Sequence, residues 1–222
     1  MFDDSSTSPR RSFLARLSAA AVAFSGVTLA APARTAHADD PDDAWLRALT
    51  GKHRTVFDVE THKNGTALAQ AKNLLDAWKT EYRVEPPVVN MVMGVRGTGI
   101  PIVLDDALWA RYTLGEQYGI MDPVTKSPAL RNPFLAANVQ AQGLVSAEQS
   151  VEALQARGVT FLVCRNTIGG ATRKLVAAGL GPAAEVRAAI EGAIIPNVTT
   201  VPAMVVAFTQ MQARGVAYVF AG

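Results

Sequence analysis

The residue best suited to covalent chemistry in this sequence is Cys164, its only cysteine. It follows the apolar run 159–163, which is typical of a buried strand, and it precedes Arg165 and Asn166. A side chain between a strand and a helix lies at the carboxyl end of a parallel sheet, near the helix N-terminus. The helix dipole and nearby cations favour the thiolate, which is the form that attacks sulfane sulfur. The alternative is that Cys164 is a buried small hydrophobic side chain.

A second candidate is the glycine-rich segment 94–99, which contains Arg96. We expect this segment to be a loop after a strand, where backbone N–H groups can hold an anion such as thiosulfate. Arg96, Arg165 and Asn166 would then bind an anionic substrate beside Cys164. The glycine spacing is not that of a dinucleotide-binding motif. A flexible connection with a solvated arginine is the simpler alternative.

Other polar residues have structural explanations. His53 and His62 lack further ligands at the spacing that a metal site needs, so we expect no metal and no cofactor. Asp105 and Asp106 stand where a helix should begin, so helix capping explains them better than acid–base catalysis does.

Alternating strands and helices must position these residues. Apolar runs predict strands at 55–59, 88–93, 159–163 and 216–220. Helical spacing of apolar residues predicts helices through 68–82, 108–112, 146–158, 174–176, 186–194 and 202–212, with the glycine pair 169–170 preceding one of them. This alternation implies crossover connections, and therefore a single α/β domain whose mainly parallel sheet is covered by helices on both faces.

Residues 1–38 have the pattern of an export signal. The paired arginines Arg10 and Arg11 precede an alanine-rich apolar run at 17–31 and a small-x-small cleavage site at 36–38. The run is shorter than the about 20 apolar residues that a membrane span needs. Paired arginines in this setting predict a twin-arginine signal peptide and a periplasmic or secreted bacterial protein. An ordinary secretory signal with two chance arginines is the alternative.

The charge balance of the predicted mature domain, residues 39–222, bears on its partners. Four of the 21 basic and two of the 19 acidic side chains lie in residues 1–38, so the mature domain would be near neutral. It therefore lacks the basic surface that holds a phosphate backbone, and we expect no nucleic-acid partner. No later apolar run is long enough to span a bilayer, so we expect no membrane span after cleavage.

Three parts of the sequence resemble the DsrE/DsrF-like family. They are the strand-to-cysteine segment 161–167, the region 195–219 with its turn at 200–204, and the segment 100–109, which looks like an exported branch of that family. The sequence departs from the family in two ways. It has no second cysteine to resolve a persulfide, and it has Val-Arg-Gly at 95–97 where the family often shows a histidine.

The resemblance implies a small three-layer α/β domain, often a homo-oligomer, with Cys164 relaying sulfane sulfur. The partners would be a small anionic sulfur compound or a sulfur-transfer protein. On this first hypothesis, Cys164 accepts sulfur as a persulfide and passes it on. On the second, the domain is a non-catalytic oligomeric binding or accessory module with a buried structural Cys164. A third is an accessory subunit exported with a redox enzyme.

Overall fold

The computed structural model describes residues 44–140 and 143–222. The predicted signal peptide at 1–38 and the predicted start of the mature domain at 39 lie outside the described residues. Within the described part of the chain, no helix is both long enough and apolar enough to cross a membrane.

Five parallel strands form one sheet in the order β4-β3-β2-β1-β5. The strands are β1 (His53–Thr61), β2 (Val89–Thr98), β3 (Val159–Cys164), β4 (Val198–Val201) and β5 (Ala217–Phe220). The central strands are apolar and buried on both faces, as a covered parallel sheet requires. The predicted α/β class with a mainly parallel sheet is therefore confirmed.

Helices and short 3₁₀ turns connect the strands. The helices are α1 (Ala44–Arg47), α2 (Thr66–Thr80), α3 (Asp106–Arg111), α4 (Leu114–Tyr118), α5 (Val151–Ala156), α6 (Arg165–Ala177), α7 (Ala183–Gly192) and α8 (Met204–Ala213). The 3₁₀ turns are Lys63–Gly65, Ile100–Val103, Ala136–Asn138 and Ala147–Gln149. As predicted, Asp105 caps the helix that follows it, because its side chain accepts a hydrogen bond from the Leu108 N–H at 2.8 Å.

Side chains alternate between the two faces of each strand and so divide the core into two clusters. On one face, Phe57, Met93 and Phe161 pack with residues of α2, α3, α5, α6 and α7. On the other face, Val56 and Leu162 pack with residues of α1 and α8. The sheet is thus the middle layer of three, and Cys164 belongs to the face that α1 and α8 cover.

The segment 94–99 is not the predicted loop. Strand β2 continues through Thr98, and Gly94 pairs with Asp58 of β1. The glycine at 94 has a packing role, because a Cβ there would lie 2.6 Å from a ring atom of Phe208 on α8. Arg96 is therefore held on a strand, and the prediction of a loop around it was wrong.

One helix start and one strand also differ from the predictions. Helix α6 begins directly at Arg165, and the pair Gly169-Gly170 lies inside it, because apolar residues such as Ile168 and Leu175 on one face anchor the helix to the core. Strand β4 was not predicted, because two of its four residues are threonines and its first three positions are only half-buried. This strand is defined by its parallel pairing with β3.

Candidate functional site

A pocket of about 410 Å³ opens at the carboxyl ends of β2 and β3, the edge where parallel α/β sheets bind ligands. The end of β2 forms one side of the pocket, and one side of α6 from Asn166 to Lys174 forms another. Tyr118 at the end of α4 and Met204 and Val205 at the start of α8 complete the walls. No Asp or Glu is among the described residues that line the pocket.

Cys164 is the N-cap residue of α6 and lines this pocket. Its Sγ atom accepts a hydrogen bond from the Thr167 N–H at 3.3 Å and lies 3.0 Å from the Thr167 hydroxyl. Only 4% of the residue is exposed, and it packs beside Val201 and Met204. The sulfur is thus mostly covered but borders an open cavity.

The Thr167 hydroxyl connects the sulfur to strand β2. Its oxygen accepts a hydrogen bond from the Gly97 N–H at 3.2 Å, which leaves its proton available for Sγ. Sγ therefore faces two donors from one residue at a helix N-terminus. Such donors stabilise negative charge on sulfur. A third residue, Lys174, lines the pocket farther along α6. We call Cys164, Thr167 and Lys174 the Cys164 site.

Arg96 also lines the pocket, but most of its hydrogen-bonding capacity is used elsewhere. Its Nε and Nη2 donate to the two carboxylate oxygens of Asp58 at 2.7 and 2.9 Å, and its Nη1 donates to Glu60 at 3.0 Å. Asp58 is 1% exposed. The hydrogen bonds to Asp58, together with the charges of both carboxylates, raise the pKa of Arg96 further above its ordinary value.

Tyr218 of β5 completes this second group. Its hydroxyl donates to the buried Asp58 at 2.6 Å, and its ring packs edge-on against Phe208 at 5.4 Å between centroids. The hydrogen bond to Asp58 is the main cause that raises the pKa of Tyr218 to about 12. We call Asp58, Glu60, Arg96 and Tyr218 the Asp58 cluster.

Lys174 lies on the pocket side of α6, with its Nζ 5.3 Å from the centroid of the Tyr118 ring. No carboxylate of the described residues pairs with it. Burial raises the pKa of Tyr118 to about 12, so its phenol is neutral in ordinary buffers. Lys174 is thus a lining cation whose charge no described acid neutralises.

The four residues expected at the site have different positions. Cys164, Arg96 and Asn166 line the pocket together. Arg165 is exposed at the first position of α6, outside the described lining. Thr167 was not among the site residues predicted from the sequence, although the residue three positions after an N-cap supplies the N–H that the cap accepts.

The histidines take part in packing. His53 stacks on Trp78 with 4.1 Å between ring centroids, and His62 contacts the Tyr118 carbonyl through Nε2 at 3.1 Å. Partial burial lowers the pKa of His62. Among residues 44–140 and 143–222, no three His, Cys, Asp or Glu residues come together in a way that could hold a metal ion.

Comparisons with known proteins find similarity among solved structures alone. No protein-family model matches the chain, and no curated protein sequence matches it. A solved structure of a protein of unknown function from Methanobacterium thermoautotrophicum is similar, with a TM-score of 0.41 and 15% sequence identity. The match covers 76% of this chain and 98% of that one.

Proposed function

We propose that this protein is a sulfur-relay protein whose reactive group is the thiol of Cys164. The observation that supports this most is the position of the sulfur. It faces two donors from Thr167 and borders a pocket whose described lining contains no carboxylate. A thiolate there could meet an anionic sulfur donor without repulsion from an acidic side chain.

The reaction can be written for thiosulfate as the donor. The Cys164 thiolate attacks the sulfane sulfur and forms a new S–S bond. The bond between the two thiosulfate sulfurs breaks, and sulfite leaves with its electron pair. A thiolate of a partner protein then attacks the outer sulfur of the persulfide, and Cys164 leaves as a thiolate. Neither step consumes an oxidant, a reductant or a cofactor.

The polar neighbours of the sulfur would have unequal roles in binding a donor. Asn166 lines the pocket two positions after Cys164 and can donate to a sulfonate oxygen. Arg165, exposed at the first position of α6, would attract an anion toward the pocket. Arg96 would contribute less charge, because Asp58 and Glu60 largely neutralise it.

The direct test is intact-protein mass spectrometry after exposure to thiosulfate or polysulfide. We expect a gain of one sulfur atom, which reduction by dithiothreitol reverses. Since the chain has a single cysteine, the site of the added sulfur needs no peptide mapping. A Cys164→Ala variant that gains as much sulfur as the wild type would exclude this function.

A second candidate function is a non-catalytic binding or accessory module. The observation that favours it is the low exposure of Cys164, which packs as an apolar side chain beside Val201 and Met204. Labelling with a small thiol reagent separates the two candidates. Rapid labelling of the folded protein favours the relay, whereas labelling only after denaturation favours the module.

We further propose that the protein is exported by the twin-arginine route, acts in the periplasm or is secreted, and forms homo-oligomers. The support for an oligomer is strand β5, which pairs only with β1 among the described strands and exposes Val219 and Phe220. Light scattering of the purified domain tests the oligomer. N-terminal sequencing of the exported protein tests cleavage after residue 38.

A further inference from the structure

The pocket beside Cys164 extends along helix α6. Thr167, Ala171 and Lys174 line it at intervals of three and four residues, which is the spacing of one helix face. Cys164 caps the helix and Lys174 comes ten positions later, so their backbones are roughly 15 Å apart along the axis. This separation favours an elongated ligand over a compact inorganic anion such as thiosulfate. The volume of about 410 Å³ is that of a site for a small organic molecule.

The middle of this groove is open and largely apolar. A Cβ on Gly170 would have no neighbour closer than 3.9 Å, a terminal nitrogen of Arg173, so there is free space above the helix at this position. Ala171 forms the next part of the floor, and Met204 and Val205 form a wall. Methylene groups of a ligand could therefore lie between the two ends without displacing any side chain.

The two ends of the groove differ in chemistry. At one end, the sulfur of Cys164 faces hydrogen-bond donors. At the other end, Lys174 carries a charge that no carboxylate of the described residues neutralises. Arg96 is less able to pair with a ligand carboxylate, because Asp58 and Glu60 already pair with it.

We propose that this groove binds an elongated organic thiol derivative that carries a carboxylate at its far end. Its sulfur lies at Cys164 and its carboxylate pairs with Lys174. This inference rests on the proposed relay function and names the donor class, the persulfide of such a thiol. The Cys164 thiolate attacks the outer sulfur of the persulfide R–S–SH and keeps that sulfur with its proton. The bond between the two donor sulfurs breaks, and R–S⁻ leaves.

Equilibrium binding to the Cys164→Ala protein tests the groove without any sulfur transfer. The probes are the unreactive S-methyl ethers of mercapto-octanoate and mercaptoacetate, measured by calorimetry. We expect the long ether to bind at least tenfold more tightly than the short one, because only the long ether fills the apolar middle and reaches Lys174. Equal affinity for the two ethers would overturn the proposal.

Matched variants locate the binding. Lys174→Gln should weaken binding of the long ether about fivefold, which is the contribution expected of a partly exposed ion pair. Lys174→Arg should restore the affinity. Gly170→Leu should fill the groove and weaken binding at least tenfold. Gly169→Leu changes a neighbouring residue outside the described lining and should have no effect. Thermal unfolding verifies that each variant folds, and Gly170→Val replaces Gly170→Leu if the latter does not. Insensitivity of binding to both Lys174→Gln and the substitution at Gly170 would overturn the proposal.

Sulfur loading of the wild type separates this inference from the function on which it rests. If thiosulfate loads Cys164 and the long ether does not bind, the relay stands and the groove assignment is wrong. If the long ether binds as expected but neither thiosulfate nor mercapto-octanoate persulfide loads Cys164, the relay and the assigned donor class are both wrong.

Discussion

The Asp58 cluster and the Cys164 site lie at the carboxyl end of the same sheet but use their polar groups differently. In the Asp58 cluster, three donors of Arg96 and the Tyr218 hydroxyl are directed at carboxylates, and the buried charge of Asp58 is paired. In the Cys164 site, the Thr167 N–H and hydroxyl face a sulfur atom, and Lys174 has no carboxylate partner among the described residues.

The difference shows why a charged residue near a pocket is not by itself a functional residue. Arg96 is the most conspicuous cation at this edge, yet its main partner is the internal charge of Asp58. The weaker polar groups around Cys164 are those left with capacity for a ligand. Substitutions in the Asp58 cluster should therefore change stability, and substitutions in the Cys164 site should change sulfur loading.

The largest effect is expected for Arg96→Met. It leaves the carboxylate of Asp58 buried with only the Tyr218 hydroxyl as a partner, which should lower the free energy of unfolding by about 3–5 kcal/mol. Urea unfolding followed by circular dichroism measures this loss. The matched control is Arg111→Met, which breaks an exposed pair with Glu185 and should cost less than about 1 kcal/mol. Equal losses for the two variants would mean that the Asp58 cluster is not a structural centre.

Tyr218→Phe should have the next largest effect. It removes one hydrogen bond to a buried carboxylate and keeps the packing against Phe208, so we expect a loss of about 1.5–3 kcal/mol in unfolding free energy. Tyr82→Phe, at an exposed position just after α2, is the control and should be neutral. A neutral Tyr218→Phe would show that Arg96 alone satisfies Asp58.

Because of the hydrogen bond between Tyr218 and Asp58, the stability of the fold should depend on pH in the alkaline range. Folding raises the pKa of Tyr218 from its ordinary value near 10 to about 12, because Asp58 favours the protonated phenol. The stabilisation by Tyr218 should therefore be complete below about pH 10 and decline as the pH rises through about 12. Denaturant midpoints measured between these values should fall less in Tyr218→Phe than in the wild type. Parallel declines in the two proteins would contradict the assignment.

Substitution at Thr167 should slow sulfur loading. Thr167→Val removes the hydroxyl that lies 3.0 Å from Sγ and keeps the side-chain volume. Since a hydrogen bond to a charged group contributes about 1.5 kcal/mol or more, loading of Cys164 should slow by about tenfold. Thr167→Ser should load at nearly the wild-type rate. Mass spectrometry at a single thiosulfate concentration measures the loading rates of both variants.

The smallest effect is expected for Gly170→Ala. An alanine here adds a methyl group to open space within a helix, so it should stabilise the fold by about 0.4–1 kcal/mol. Its methyl is too small to close the groove, and sulfur loading should be unchanged. The contrasting variant is Gly94→Ala, where the added Cβ would meet the Phe208 ring and should destabilise the fold by about 1–3 kcal/mol. Urea unfolding of the two alanine variants gives both values, and a destabilising Gly170→Ala would contradict an open groove.

The features that could be predicted are those that depend on residues close together in the sequence. The apolar run 159–163 followed by Cys164 was enough to place a strand end at the sulfur, and the alternation of elements was enough for the α/β class. The partners of Arg96 could not be predicted in this way. Asp58 is 38 positions from it, and only the register of β1 against β2 brings the two together.

The errors have the same origin. The glycines around Arg96 are typical of a loop, but Gly94 is required by the ring of Phe208, which comes from α8. The pair Gly169-Gly170 is typical of a helix boundary, but packing of the rest of α6 carries the helix through both. In each case, contact with a distant element overrides a local preference.

The contact between Asp58 and Tyr218 has a consequence for biosynthesis, because the two residues are 160 positions apart. A ribosome that adds about 5–20 residues per second needs roughly 10–30 s to make the intervening chain. During that interval, the edge of β1 that later pairs with β5 has no partner strand. A chaperone that covers this edge on the nascent chain would protect the newborn protein from aggregation until β5 emerges.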